Sequence, residues 1–106
     1  MSENAQHVAI EEDGRVLAEA TLRREANQKT VHADLHVEAG HLPVGTRARL
    51  VDAVLDQPAA EAGTRLEATL PAGDGEILGR LRERCDDLEA RSAGASTLAS
   101  GDVSGS

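Results

Sequence analysis

Apolar and polar residues alternate over three early segments of the chain. Val8 and Ile10 are spaced by His7, Ala9 and Glu11, and Val16, Ala18, Ala20 and Leu22 alternate with Leu17, Glu19, Thr21 and Arg23. Val31, Ala33, Leu35 and Val37 alternate with His32, Asp34 and His36. A period of two sends each set to its own side of a strand, so the pattern predicts three strands, each apolar on one face. Asp13-Gly14, between the first two, tolerates the positive φ that a tight hairpin needs. A polar stretch, Glu25 to Gln28, connects the second strand to the third.

The period then changes. From about Thr46 to Asp56, Ala48, Val51 and Leu55, with Leu50 and Val54 alongside, recur at helical spacing, and Pro58 stops or kinks that helix. Ala59 to Ala62 can add a turn. Gly63 leads into a fourth strand with Leu66, Ala68 and Leu70 inward, and Pro71, Gly73 and Asp74 end it. Asp74 is placed to cap a second helix, whose stripe of Ile77, Leu78, Leu81, Cys85 and Leu88 predicts that it runs towards residue 93. From Gly94 the chain turns to Ala, Ser, Gly and Thr without a period, which predicts a disordered, dispensable tail over 94–106. Residues 1–6 are expected to be a flexible N-terminus, and 7–93 a single domain.

The predicted order is β-β-β-α-β-α, an α/β two-layer sandwich of the α+β kind. A sheet covered on both faces would read as continuous apolar runs, so the alternation places both helices on one face and leaves the other open. The link from the third strand through the first helix to the fourth is a parallel crossover.

Composition sharpens this picture. The chain has 106 residues without Phe, Tyr or Trp. Each aromatic would bury roughly 150–250 Å², so the core must be built from Ala, Val and Leu and is thin. Such a small domain gains from self-association, and a homodimer through the sheet, edge to edge or across an open face marked by Leu17, is expected, as is a protein partner. The formal net charge of -8 argues against nucleic acid and against an anionic membrane surface. No apolar run approaches the roughly 20 residues that cross a bilayer, and the expected compartment is the cytoplasm. Cys85 is the single cysteine, so no intrachain disulfide can form, and its place on an apolar stripe predicts core packing.

Two groups of residues carry candidate chemistry. At the junction of the third strand and the first helix, Val44, Gly45, Thr46, Arg47 and Arg49 bring backbone N–H groups and the positive end of a helix dipole to one point, an arrangement that holds anions. Arginines in a first turn oppose that dipole at about 0.3–1 kcal/mol each, and a bound anion reverses the sign. The second group is the polar face of the third strand. There His32, Asp34, His36 and Glu38 project together, neighbours about 7 Å apart, with His41 in the following loop. His and Asp at that spacing can share a divalent metal, although a solvated strand face accounts for them as well and no metal is expected. Glu19, His36 and Glu38 are the candidate general bases.

The chain resembles the GNAT-type N-acyltransferase superfamily in its hairpin segment Glu12-Asp13-Gly14-Arg15-Val16-Leu17-Ala18, its strand Ala33-Asp34-Leu35-His36-Val37, the helix Leu50-Val51-Asp52-Ala53-Val54-Leu55, and the Gly63, strand and helix that follow. The resemblance covers about His7 to Ala93. It implies that the loop amides hold the pyrophosphate of acetyl-CoA or another acyl-CoA and that the strand before the loop lines the pantetheine, with Val37, Val44, Gly45, Thr46, Arg47 and Arg49 as cofactor-binding positions. Of the family's loop signature, Gly45 matches the first glycine, Leu42 stands in place of Gln or Arg, and Arg47 replaces the second small residue. The family's N-terminal helices, C-terminal strands and acid tyrosine have no counterpart in the pattern. The implied function is a small non-catalytic GNAT-like domain acting through protein interaction and retaining an acyl-CoA or phosphate site, with a minimal N-acetyltransferase as the enzymatic alternative. A second resemblance, over about His7 to Leu55, is to small proteins likened to ribosome-hibernation factors and implies a ribosome-associated stress or dormancy role.

Overall fold

The computed structural model describes residues 5–25 and 29–104. Six strands and two helices follow in the order β1 (Ala5–Glu12), β2 (Arg15–Arg24), β3 (Thr30–Val37), α1 (Thr46–Leu55), β4 (Arg65–Pro71), α2 (Gly75–Arg84), β5 (Cys85–Ala93) and β6 (Ser96–Val103), with a short 3-10 turn at Pro58–Ala60. The predicted α/β architecture holds through α2, and β5 and β6 extend it.

One sheet contains all six strands, in the order β1-β2-β3-β4-β6-β5. Pairing is antiparallel except between β3 and β4, which run parallel from Thr30 opposite Arg65 to Asp34 opposite Thr69. The β1–β2 hairpin turns on Asp13 and Gly14, both with positive φ (55° and 76°), as a two-residue primed turn requires. Both helices lie on one face: α1 packs on β1 and β2, α2 packs on β5, and the helices touch each other. Beneath them Val8, Ile10, Ala20, Leu22, Val31, Ala33, Leu66, Ala68, Leu70, Ile77 and Leu81 form a continuous core with Leu50, Val51 and Val54 of α1. The core is aliphatic throughout, as the missing aromatics dictate.

Four expectations are corrected. The tail predicted to be disordered over 94–106 is a strand from Ser96 to Val103, inserted between β4 and β5 and hydrogen-bonded on both sides. Its inward row of Ala99, Gly101 and Val103 is buried, but with such small side chains that the alternation is nearly silent. The second helix ends at Arg84 rather than near residue 93, and Cys85 is the first, buried residue of β5. Leu88, half-buried, lies in β5 against Gly101 rather than on a helix stripe. The N-terminus predicted to be flexible over 1–6 enters the sheet at Ala5 and Gln6, while residues 1–4 lie outside the described residues. Leu17, expected as an apolar spot on the open face, is 5% exposed at the bulge where β1 and β2 shift register, and its carbonyl accepts the Glu38 N–H.

An ion cluster ties the two helices together. Arg80 of α2 forks onto Asp52 of α1, with Nε on Oδ1 and Nη2 on Oδ2, both at 2.9 Å, and Arg84 adds Nη1 to Oδ1 at 2.7 Å. These charge-assisted bonds, Arg80's first, hold the Asp52 carboxyl below its ordinary range although partial burial opposes them, and they push the Arg80 guanidinium up. No helix among the described residues is long and apolar enough to cross a membrane.

Candidate functional site

Because β3 and β4 run parallel, their carboxyl ends lie at the same end of the sheet, and each feeds a helix. Ligands of open α/β sheets bind outside such carboxyl ends, where helix N-termini converge. Here pairing between the two strands stops at Asp34 and Thr69. Beyond that point Leu35, His36 and Val37 continue β3 without a β4 partner, whereas Leu70 and Pro71 stay paired to β6. The strands therefore part where the loop to α1 begins.

The loop closes on Gly45, which caps α1 in the left-handed conformation at φ 89°. A side chain here would meet open space, but an L-residue would be strained by roughly 1–2 kcal/mol. Thr46 is buried and donates both its N–H and its Oγ1 hydroxyl to Pro43 O, at 3.2 and 2.7 Å, which locks the turn. Arg49 N–H is already the first helical donor, onto Gly45 O. The amides of Arg47 and Ala48 precede it in the first turn, where helix geometry supplies no intrahelical acceptor. Val44, at the tip, is fully exposed.

The side chains around this turn are arranged less openly than the backbone. Arg47 Nε donates to Asp74 Oδ2 at 2.8 Å, and the other carboxylate oxygen of Asp74 accepts Ile77 N–H at 3.0 Å, the N-cap bond of α2. Thus the arginine at the start of α1 is drawn across to the start of α2. A groove of about 420 Å³ lies between the two helix starts, lined by Arg47, Gly73, Asp74, Gly75 and Glu76. Arg49 is exposed, and Val37 is half-buried against the core.

The candidate bases sit together on the open face. Glu19 lies opposite His36 in the β2–β3 register, His36 Nε2 is 3.4 Å from Glu38 Oε2, and Glu19 Oε1 is 2.8 Å from His7 Nε2. His7, a residue the sequence reading did not single out, thereby joins the group, and strand alternation on β1 was the signal for it. Cys85 offers no nucleophile, since burial pushes its thiol up and holds it protonated.

His32 and Asp34 do not share a site with His36 in the way the strand spacing suggested. His32 instead faces Glu25, just past the end of β2, and Glu67 on β4. A broad depression of about 480 Å³ covers this part of the open face, lined among others by Arg23, His32, Asp34, Glu67, Glu89 and Arg91.

No family model matches the chain, and no curated protein matches its sequence. Solved structures do match its fold. An N-acetyltransferase from Staphylococcus aureus Mu50 superposes with a TM-score of 0.63 at 18% identity, over 92% of this chain and 66% of that one. The GNAT domain of S. lividans PAT gives 0.65 at 14% identity, over 94% and 61%. Diaminobutyrate acetyltransferase EctA from Paenibacillus lautus, solved with L-2,4-diaminobutyric acid and coenzyme A, gives 0.66 at 13%, over 92% and 69%. The chain therefore has a GNAT-type N-acetyltransferase fold and spans about two thirds of the length of the structures it matches. The match nearly spans this chain.

Proposed function

We propose that this chain is a GNAT-like domain that binds acyl-CoA by its pyrophosphate at the start of α1 and does not itself complete an acyl transfer. The observation that carries the reading is the Gly45 turn, left-handed and braced by Thr46, at the point where β3 and β4 part. The backbone fits the group. Amides of Arg47 and Ala48 would hold phosphate oxygens with the positive end of the α1 dipole, and the unpaired edge of Leu35 to Val37 would receive the amide-bearing pantetheine arm as a strand edge receives another strand. Bound acyl-CoA would supply an activated thioester carbonyl to an acceptor amine.

The side chains support holding more than turning over. Leu42 gives no donor where the family's signature has Gln or Arg, and the Arg47 guanidinium is engaged by Asp74. The chain contains no tyrosine to protonate a leaving thiolate. With the acid missing, binding would serve recognition of a protein partner, the GNAT fold acting as a scaffold.

The cluster of Glu19, His36, Glu38 and His7 favours the enzymatic alternative, a minimal N-acetyltransferase using one of these groups as general base. Calorimetry with CoA, pantetheine and inorganic pyrophosphate tests the reading. Saturable CoA binding that pyrophosphate competes away, with pantetheine alone much weaker, supports it; equal binding of CoA and pantetheine contradicts it. Release of free thiol from acetyl-CoA with a panel of amines, lost in His36→Gln and Glu38→Gln, would favour the enzyme instead.

A further inference from the structure

Away from the Gly45 turn, three side chains on the open face meet at one spot. His32, on β3, lies across the parallel register from Glu67 on β4, and Glu25, just past the end of β2, reaches the other side of the ring. His32 Nε2 is 2.5 Å from Glu25 Oε2, and His32 Nδ1 is 3.5 Å from Glu67 Oε1. One ligand atom from each residue can be chosen so that all three lie within 4.8 Å of one another. We propose that His32, Glu25 and Glu67 form a divalent-cation site of the zinc type.

The donor set suits such an ion. Zinc takes imidazole nitrogen and carboxylate oxygen at about 2.0–2.2 Å, so neighbouring ligand atoms around it sit about 3.3 Å apart, and the three side chains need move by only about an ångström. One ring nitrogen and an oxygen from each carboxylate bind the ion, and water completes the tetrahedron. Two nearby guanidinium groups are engaged elsewhere: Arg24 by Glu61, and Arg65 by Ser100 Oγ and Asp102. Two carboxylates about one imidazole are thus brought together in a chain of net charge -8, with His32 only 33% exposed. Arg23, opposite His32 in the β2–β3 register, is a cation that opposes an incoming ion. Spacing along β3 alone puts Asp34 nearest to His32, whereas the cross-strand register places Glu67 beside it.

The site is tested with Zn²⁺ alone, by calorimetry on the full chain and by following the imidazole nitrogens in NMR. One ion per chain is expected, with the shift change centred on His32. His32→Gln and Glu67→Gln should each weaken binding at least tenfold, Arg23→Gln should tighten it severalfold, and His36→Gln and His7→Gln should leave it unchanged. No saturable binding below 1 mM, or binding that survives His32→Gln or is lost in His36→Gln, would overturn the proposal. Because no residue of the Gly45 turn takes part, failure here leaves the acyl-CoA reading untouched, and the reverse also holds.

Discussion

Arg47 and Asp74 pair at 2.8 Å between residues 27 positions apart, so one carboxylate both caps α2 and takes up the guanidinium at the start of α1. The first turn of α1 carries an arginine that the helix dipole disfavours, and Asp74 relieves that conflict without an external anion. A bound pyrophosphate would have to compete with Asp74 for the same guanidinium.

Asp74→Asn separates the two duties. Asparagine still accepts the Ile77 N–H, but without the charge it releases Arg47 towards an anion at the Gly45 turn. CoA should bind severalfold tighter to this variant by calorimetry, with thermal stability close to the parent. Asp74→Ala loses the cap as well and should cost about 1 kcal/mol of stability. Weaker CoA binding in Asp74→Asn would show that Arg47 serves the ligand best where it is.

The Asp52 cluster sets a pH dependence with a definite sign. Its carboxyl lies below the ordinary value of 3.8 in the fold, so the stabilisation is fully present above about pH 4 and is lost as the pH falls through the lower, folded value. Asp52→Asn should cost about 1 kcal/mol at pH 7. The difference from the parent should shrink below pH 4, as urea denaturation at a series of pH values would show. A constant difference down to pH 2 would mean that Asp52 contributes through packing alone.

Removing residues 94–106 should unfold the protein, because β6 pairs with β4 on one side and β5 on the other. Gly101→Ala probes the same strand at one atom. Its Cβ would come within 3.0 Å of the backbone carbonyl of Asp86, at the β5 irregularity where Asp87 takes a positive φ, and should cost about 1–3 kcal/mol. A truncated chain with an unchanged melting temperature would contradict the placement of β6.

In the aliphatic core, Leu66 is fully buried on β4 in the middle of the sheet. Leu66→Ala should cost about 2–5 kcal/mol, with no aromatic neighbour to collapse into the space. Loss of the sharp melting transition by circular dichroism is the expected result for so thin a core, and a cost under 1 kcal/mol would count against this packing.

The contrast between β3 and β6 explains how far the sequence could be read. Val31, Ala33 and Leu35 are large enough, and their polar neighbours charged enough, to print the period of two plainly. In β6 the buried row is Ala99, Gly101 and Val103, and Gly101 must be small because β5 presses against it. Packing between two strands removed the signal that would have announced a strand. In Cys85 to Ala93, Leu88 and Cys85 fall by chance at helical spacing from Leu81, and the charged residues around them mimic an exposed helix face. The site divides in the same way: Gly45 and the Asp74 cap are local and legible, whereas Arg47 with Asp74, His7 with Glu19 and His32 with Glu67 are cross-element contacts that only register reveals.

The central claim is that the start of α1 holds the pyrophosphate of acyl-CoA. Titrating CoA into the ¹⁵N-labelled chain while following backbone amide shifts tests it most directly. The account predicts saturable changes centred on Val44 to Arg49 and reaching Leu35 to Val37, absent in Gly45→Val. Amides there that stay unmoved up to millimolar CoA, or changes confined to the open face around His32, would contradict it.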